Sequence, residues 1–301
     1  MRIGIDLGGT KIEIAVLDEA GAIVHRARLP TPAGEYEAIL TAVASLVGDA
    51  ERLHGRAHCI GIGTPGSISR ATGMIKNSNS VCLNGRNLRA DLQTLLARDV
   101  RIANDANCFA LSEATDGAAA GCGIVFGVIL GTGVGGGLVV DGRLLDGPNG
   151  ITGEWGHNPL VLDPGQSVGP ARTCYCGRTG CVETVLCGPA MAADHARATG
   201  RATERMSAKH IARLAQSGDT SCRATIERYA QNLAQALAVV INIVDPDVIV
   251  LGGGISNIDS LYERVPAYWG RWVFSDKVST RLVPNRHGDS SGVRGAAWLA
   301  A

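Results

Sequence analysis

Hydrophobic and polar positions alternate from the first residues of the chain. Ile3-Gly4-Ile5 leads into Asp6-Leu7-Gly8-Gly9-Thr10, then the alternating run Lys11-Ile12-Glu13-Ile14-Ala15-Val16, then a third strand from Ile23. A two-residue period broken by a glycine turn predicts an antiparallel meander whose first bend is Gly8–Thr10. The period then changes: Ile39, Leu40, Val43, Leu46, Val47 and Leu53 recur at helical spacing, and Cys59-Ile60-Gly61-Ile62-Gly63 reads as a buried strand. A helix over Leu88–Leu96, a strand around Val100–Ile102 and a helix opening after Asn104-Asp105-Ala106-Asn107 complete a first unit.

Near Gly123 the pattern restarts. Ile124–Leu130 is an apolar strand, Gly131-Thr132-Gly133 a turn, Gly135–Val140 a second strand, and a short third strand falls near Arg143. This is an internal repeat of architecture, with two copies of strand, glycine turn and strand. It predicts two domains that bring two hairpin bends to one cleft, with the boundary near Gly117–Gly123. Helical periodicity follows from Ser207 to Gln216 and from Ala224 to Val244, then the strand Asp247–Leu251 ending in Gly252-Gly253-Gly254, and a last helix from Ser291 to Leu299. Gly147–Gly188 has little periodicity and is rich in Gly, Pro, His and Cys, the kind of long loop that usually carries function.

Composition narrows the function. The 301 residues exceed one ordinary core, and Lys plus Arg equals Asp plus Glu at 28 each with no basic cluster, so a nucleic-acid partner is not expected. No stretch has membrane-spanning length, and Met1–Asp6 lacks a signal core. Nine cysteines, six of them scattered singly, then read as reduced thiols of a cytoplasmic protein.

Candidate chemistry sits at the turns. In Asp6-Leu7-Gly8-Gly9-Thr10-Lys11 the glycines let backbone N–H groups approach phosphate oxygens, Thr10 adds a hydroxyl, and Asp6 is suited to hold a metal through water. The alternative is an ordinary hairpin turn. The second turn, Gly131-Thr132-Gly133, favours phosphates gripped from both domains. Gly252, Gly253 and Gly254 at a strand end suit a backbone passing close to adenine or ribose, or a simple turn. His157, Cys174, Cys176 and Cys181 offer one nitrogen and three sulfurs, a closed ligand set for structural zinc, with a disulfide or inert thiols as alternatives. Glu154 and Glu183 flank them and could accept hydrogen bonds from vicinal sugar hydroxyls, or be solvated loop acids. Asp105, between strand and helix, is a helix cap or a base that takes the proton of an attacking hydroxyl.

Taken in order, Asp6-Leu7-Gly8-Gly9-Thr10, Asn104-Asp105-Ala106-Asn107, Glu154-Trp155-Gly156-His157 and Cys174-x-Cys176-Gly177-x-x-Gly180-Cys181-x-Glu183 resemble the ROK family of sugar kinases and repressors along the whole chain. The resemblance implies an α/β, two-domain, actin-like ATPase (ribonuclease H-like) fold with duplicated βββαβαβα units. It also implies a homodimer with ATP and Mg²⁺ in the cleft. Residues 1–117 would form a small N-terminal domain on which the C-terminal helix 290–301 packs back, and 118–289 a larger domain with the zinc loop. Asp105 would be the catalytic base, with Gly66, Asn104, Glu154, His157 and Glu183 around the hexose, and His157 would give one ring nitrogen to zinc and the other to the sugar. The repressor members' added N-terminal helix-turn-helix has no counterpart before Asp6. The wording at Thr64–Ser69, Asn77–Ser80 and His287–Trp298 resembles the family's bacterial fructokinases. It implies transfer of the γ-phosphoryl group of ATP to the 6-hydroxyl of D-fructose, with D-mannose also accepted. A glucokinase or N-acetylhexosamine kinase is the alternative within the family, and a sugar sensor or an actin-like ATPase the alternatives outside it.

Overall fold

The computed structural model describes residues 1–163, 171–200 and 206–300. Its first half runs β1 (Arg2–Leu7), β2 (Lys11–Leu17), β3 (Ile23–Pro30), α1 (Tyr36–His54), β4 (Cys59–Thr64), β5 (Ser67–Ile68), β6 (Ile75–Lys76), α2 (Leu88–Leu96), β7 (Asp99–Asn104) and α3 (Asp105–Thr115). The second runs β8 (Ile124–Leu130), β9 (Val134–Val140), β10 (Arg143–Leu144), α4 (Glu183–Leu186), α5 (Gly188–Thr199), α6 (Ala208–Gln216), α7 (Thr220–Val244), β11 (Val248–Gly252), α8 (Leu261–Trp269), β12 (Arg281–Pro284) and α9 (Ser291–Leu299).

The repeat is present as sheet topology. The two five-stranded sheets have the orders β3-β2-β1-β4-β7 and β10-β9-β8-β11-β12, so each places its third, second, first, fourth and fifth strands side by side. In the first, β1 pairs antiparallel with β2 and parallel with β4, and β4 pairs parallel with β7. In the second, β11 lies parallel between β8 and β12.

The chain divides into two compact units, residues 1–121, 137–152 and 286–301 against residues 122–136 and 153–285. This departs from a break at residues 117/118: residues 137–152 group with the first unit, because the second half of β9 packs on α3, where a Cβ at Gly137 would lie 2.8 Å from the Ala106 carbonyl oxygen. The returning segment that joins the first unit begins at Arg286, four residues earlier than expected.

One face of the first sheet is covered by α1, where Ile3, Ile5, Ile12, Ile14 and Val16 meet Ile39, Val43 and Leu46. Each fully buried side chain of this kind stabilises the fold by about 1.5–3 kcal/mol. The other face takes α3 and α9. A Cβ at Gly61 would sit 1.7 Å from the Ala296 carbonyl oxygen and one at Gly295 1.7 Å from that of Cys108, so glycine is required for α9 to press against both β4 and α3.

The sequence pattern omits β5, β6, α4, α5, α8 and β12. Pro266 lies inside α8 and reads as a helix breaker, and β12 has only four residues. The start of α3 is also earlier than the pattern suggests. Asn104 is its N-cap, Oδ1 accepting from the Ala106 N–H at 2.9 Å, so Asp105 is the first helical residue. Among the described residues no helix is long and apolar enough to cross a membrane.

Candidate active site and metal centre

In the first unit, the β1–β2 hairpin presents Gly9 and Thr10 at an exposed tip, closed by the Gly8 N–H donating to the Lys11 carbonyl at 3.0 Å. The end of β3 braces it, since Thr31 Oγ1 donates to the Gly8 carbonyl at 2.7 Å and the Thr31 N–H to that of Thr10 at 3.0 Å. Asp6 is the last residue but one of β1, near the first turn of α9, where a Cβ at Gly292 would lie 3.4 Å from Asp6 Oδ2. Burial first, then the charges of Asp105 and Glu13, push the Asp6 carboxyl up to about 6. Two predicted residues therefore share one electrostatic site: Asp6 at a strand end and Asp105 at a helix N-terminus.

Asp105 is exposed, and its Oδ1 also accepts from the Ala106 N–H, at 2.8 Å. Asn104 does two jobs, capping α3 and donating from Nδ2 to the Gly66 carbonyl at 3.0 Å. Gly66 has φ +84°, and a Cβ there would approach the Lys76 carbonyl oxygen to 2.6 Å, so only glycine fits this bend. Gly66, Asn104 and Asp105 are thus one hydrogen-bonded loop cluster. Lys11, which closes the turn, has its Nζ 3.4 Å from Glu13 Oε2.

In the second unit, the Gly131–Gly133 turn and the Gly252–Gly254 strand end are neighbours. Gly253 has φ +79°, and its Cβ would fall 2.4 Å from the Leu130 carbonyl oxygen. The Gly131 carbonyl accepts from the Gly188 N–H at the start of α5 at 2.8 Å. Glu183 belongs to this turn as much as to the metal loop, because its Oε2 accepts from the Val134 N–H at 3.0 Å and would lie 2.7 Å from a Cβ at Gly133. The turn carrying Glu154 and His157 is seated on the same strand through Trp155, whose Nε1 donates to the Gly135 carbonyl at 3.0 Å.

His157, Cys174, Cys176 and Cys181 converge, their ligand atoms all within 4.8 Å of one another. His157 Nδ1 is 3.6 Å from Cys174 Sγ, and Cys176 Sγ is 3.7 Å from Cys181 Sγ. A tetrahedral zinc with metal–sulfur bonds of about 2.3 Å has ligand–ligand edges of about 3.7 Å, so the four residues fit that ion. The positive φ of Gly177 and Gly180 supplies the tight returns that the short Cys-x-Cys spacing needs. Burial pushes the Cys174 thiol up to about 12, while the Arg178 backbone N–H draws Cys176 down to about 6. A divalent cation would bring all three to thiolate. His157 Nε2 faces away from the sulfurs, 2.9 Å from the Tyr175 hydroxyl and 4.0 Å from Glu154 Oε2.

Gly66, Asn104, Asp105, Asp6 and the Gly8–Lys11 turn thus belong to the first unit, and Glu154, His157, Glu183, the other glycine turns and the cysteines to the second. Sequence reasoning singled out neither Tyr175, which lies between Cys174 and Cys176, nor Glu13, the one acid of β2.

The ROK family profile matches residues 2–301 of the chain. The N-acetyl-D-glucosamine kinase of Escherichia coli O6:H1 (strain CFT073) is 41% identical over 302 residues, covering 99% of both chains. Among solved structures, the ROK hexokinase from Thermus thermophilus is similar with a TM-score of 0.85 and 35% identity, over 100% of this chain and 97% of that one. A ROK family glucokinase from Streptomyces griseus, solved with glucose and AMPPNP, has a TM-score of 0.80 and 27% identity over 99% and 98% of the two chains. With a family match over nearly every residue and close relatives along its full length, the chain belongs to the ROK family and has its actin-like, two-domain α/β fold.

Proposed function

We propose that this chain is an ATP-dependent hexose kinase that phosphorylates the 6-hydroxyl of N-acetyl-D-glucosamine. The observation that carries this reading is the 41% identity to an N-acetyl-D-glucosamine kinase across 99% of both chains. It supports an N-acetylhexosamine as acceptor over the D-fructose expected on sequence wording. Fructose stays as the second reading because Thr64–Ser69, Asn77–Ser80 and His287–Trp298 resemble fructokinases.

In this reading Gly66 and Asn104 stand beside the catalytic base Asp105 in the first unit, and Glu154, His157 and Glu183 are the sugar ligands offered by the second. Asp105 takes the proton of the 6-hydroxyl as that oxygen bonds to the γ-phosphorus and the bond to the β-phosphate oxygen breaks, releasing ADP. Such a transfer asks mainly for positioning, which Asp105 has from the first turn of α3. The N–H groups around Gly8–Thr10 and Gly131–Gly133, with the Thr10 and Thr132 hydroxyls, hold phosphate oxygens, and Gly252–Gly254 lies against the nucleoside. Magnesium, when bound, neutralises phosphate charge, and Asp6 would hold it through water. His157 Nδ1, Cys174, Cys176 and Cys181 would hold a zinc ion whose contribution is rigidity. Four protein ligands would close its sphere, and His157, with Nδ1 on the metal, would carry its proton on Nε2 beside the Tyr175 hydroxyl.

Initial rates of ADP release from ATP·Mg²⁺, measured with N-acetyl-D-glucosamine, N-acetyl-D-mannosamine, D-glucose, D-mannose and D-fructose in turn, test the acceptor. The highest kcat/KM is expected with N-acetyl-D-glucosamine. A preference for fructose of tenfold or more would replace it by the second reading, and sugar-independent ADP release would leave an ATPase.

A further inference from the structure

Glu13 is the centre of an unusual charge arrangement in the first unit. Its carboxylate is 1% exposed and meets three cations: Arg26 on Oε1, and Arg28 Nε at 2.6 Å and Lys11 Nζ at 3.4 Å on Oε2. One negative charge therefore faces three positive ones. A single bidentate arginine would satisfy a buried carboxylate, so the arrangement exceeds what holding Glu13 requires. Lys11 and Arg28 share one oxygen and are brought close together, a repulsive arrangement that a further anion would relieve. Both side chains are nearly half exposed, at 45% and 46%, so such an anion can reach them.

The strand register says where that anion lies. Asp6 pairs with Glu13 and Glu13 with Arg28, so the three stand in one row on the same face of the sheet. Lys11 is the residue that follows the Gly8–Thr10 turn, and it pairs with Pro30, whose neighbour Thr31 is hydrogen-bonded to Thr10 and Gly8. Arg28 accordingly stands on the row of Asp6, and Lys11 two residues nearer the glycine turn on the same face. Electrostatics agrees, since Lys11 and Arg28 are the two cations that pull against the upward shift of Asp6. An anion there meets backbone N–H groups on one side and two positive side chains on the other, the chemistry that recognises a phosphate chain carrying two or more charges.

We propose that Arg28, together with Lys11, forms a cationic clasp for the phosphate chain of the nucleotide at the Gly8–Thr10 turn, with Glu13 as the positioning residue that fixes both heads. The inference rests on the nucleotide reading of the preceding subsection and adds Arg28 and Glu13 to it. Glu13 leaves Lys11 and Arg28 in place between encounters, so less side-chain freedom is lost when phosphate arrives.

The test is direct binding of ADP and ATP·Mg²⁺ to the full chain by titration calorimetry, without sugar, for wild type, Arg28→Gln and Arg28→Lys. Hexose affinity and thermal midpoint are measured alongside as checks on the fold. Arg28→Gln should weaken nucleotide binding about tenfold and flatten its salt dependence, Arg28→Lys should recover most of the affinity, and hexose affinity should stay within twofold. Nucleotide affinity within twofold of wild type in Arg28→Gln, or an equal loss for hexose and nucleotide, overturns the clasp while leaving the kinase reading standing. Failure of the wild-type chain to bind nucleotide overturns both.

Discussion

Asp6 and Asp105 are both acids of the first unit, but their surroundings make different demands on them. Asp105 is exposed at the first turn of α3. If it is the proton acceptor, Asp105→Ala should lower kcat by about two decades or more while the sugar dissociation constant changes little. Near-normal turnover in that variant would remove the assignment. Asp6 is instead pushed from the ordinary aspartate value of 3.8 up to about 6, by burial before neighbouring charge. An acid whose folded pKa is raised opposes folding once ionised, so the cost is absent below pH about 4, grows between about 4 and 6, and is complete above. Asp6→Asn should therefore raise the thermal midpoint by a few degrees at pH 7.5 and have no such effect at pH 4, with activity lost. Equal midpoints at pH 7.5 would contradict the burial argument.

At the scale of elements, the strands were legible because their chemistry is local. Alternation in Lys11–Val16 and the glycine turn before it are enough to give the hairpin, and the run Ile124–Leu130 with Gly131–Gly133 gives its repeat. Contacts between distant residues were not legible in the same way. Nothing near Glu183 in the chain indicates that its carboxylate takes the Val134 N–H 49 positions earlier. Likewise, alternation assigns Glu13, Arg26 and Arg28 to polar faces but not to each other, which strand register alone decides. The cluster of His157, Cys174, Cys176 and Cys181 was readable because soft-ligand spacing is short-range, whereas Tyr175 beside His157 Nε2 depends on how the loop turns at Gly177 and Gly180. If zinc pins this loop, protein purified without a metal-binding tag should contain about one zinc per chain, and Cys176→Ser should lower both zinc content and thermal midpoint. Less than a tenth of a zinc per chain would refute the metal centre.

For the whole molecule, the duplicated sheet order explains why one set of candidate residues is divided between two units. Each copy of the repeat ends its first strand in a glycine turn, one with Asp6 and the Gly8–Thr10 bend, the other with Gly131–Gly133 and, alongside, Gly253. The family and its fold were readable from motifs spread over the chain. The acceptor was not, because sugars that differ by one substituent are separated by a few hydrogen bonds whose geometry no short motif encodes. The identity of the product decides the account most directly. Incubation with ATP·Mg²⁺ and N-acetyl-D-glucosamine, followed by phosphorus and proton magnetic resonance, should show N-acetyl-D-glucosamine 6-phosphate accumulating in a one-to-one ratio with ADP. ADP appearing with inorganic phosphate in place of any sugar phosphate, for this sugar and for fructose alike, would contradict it.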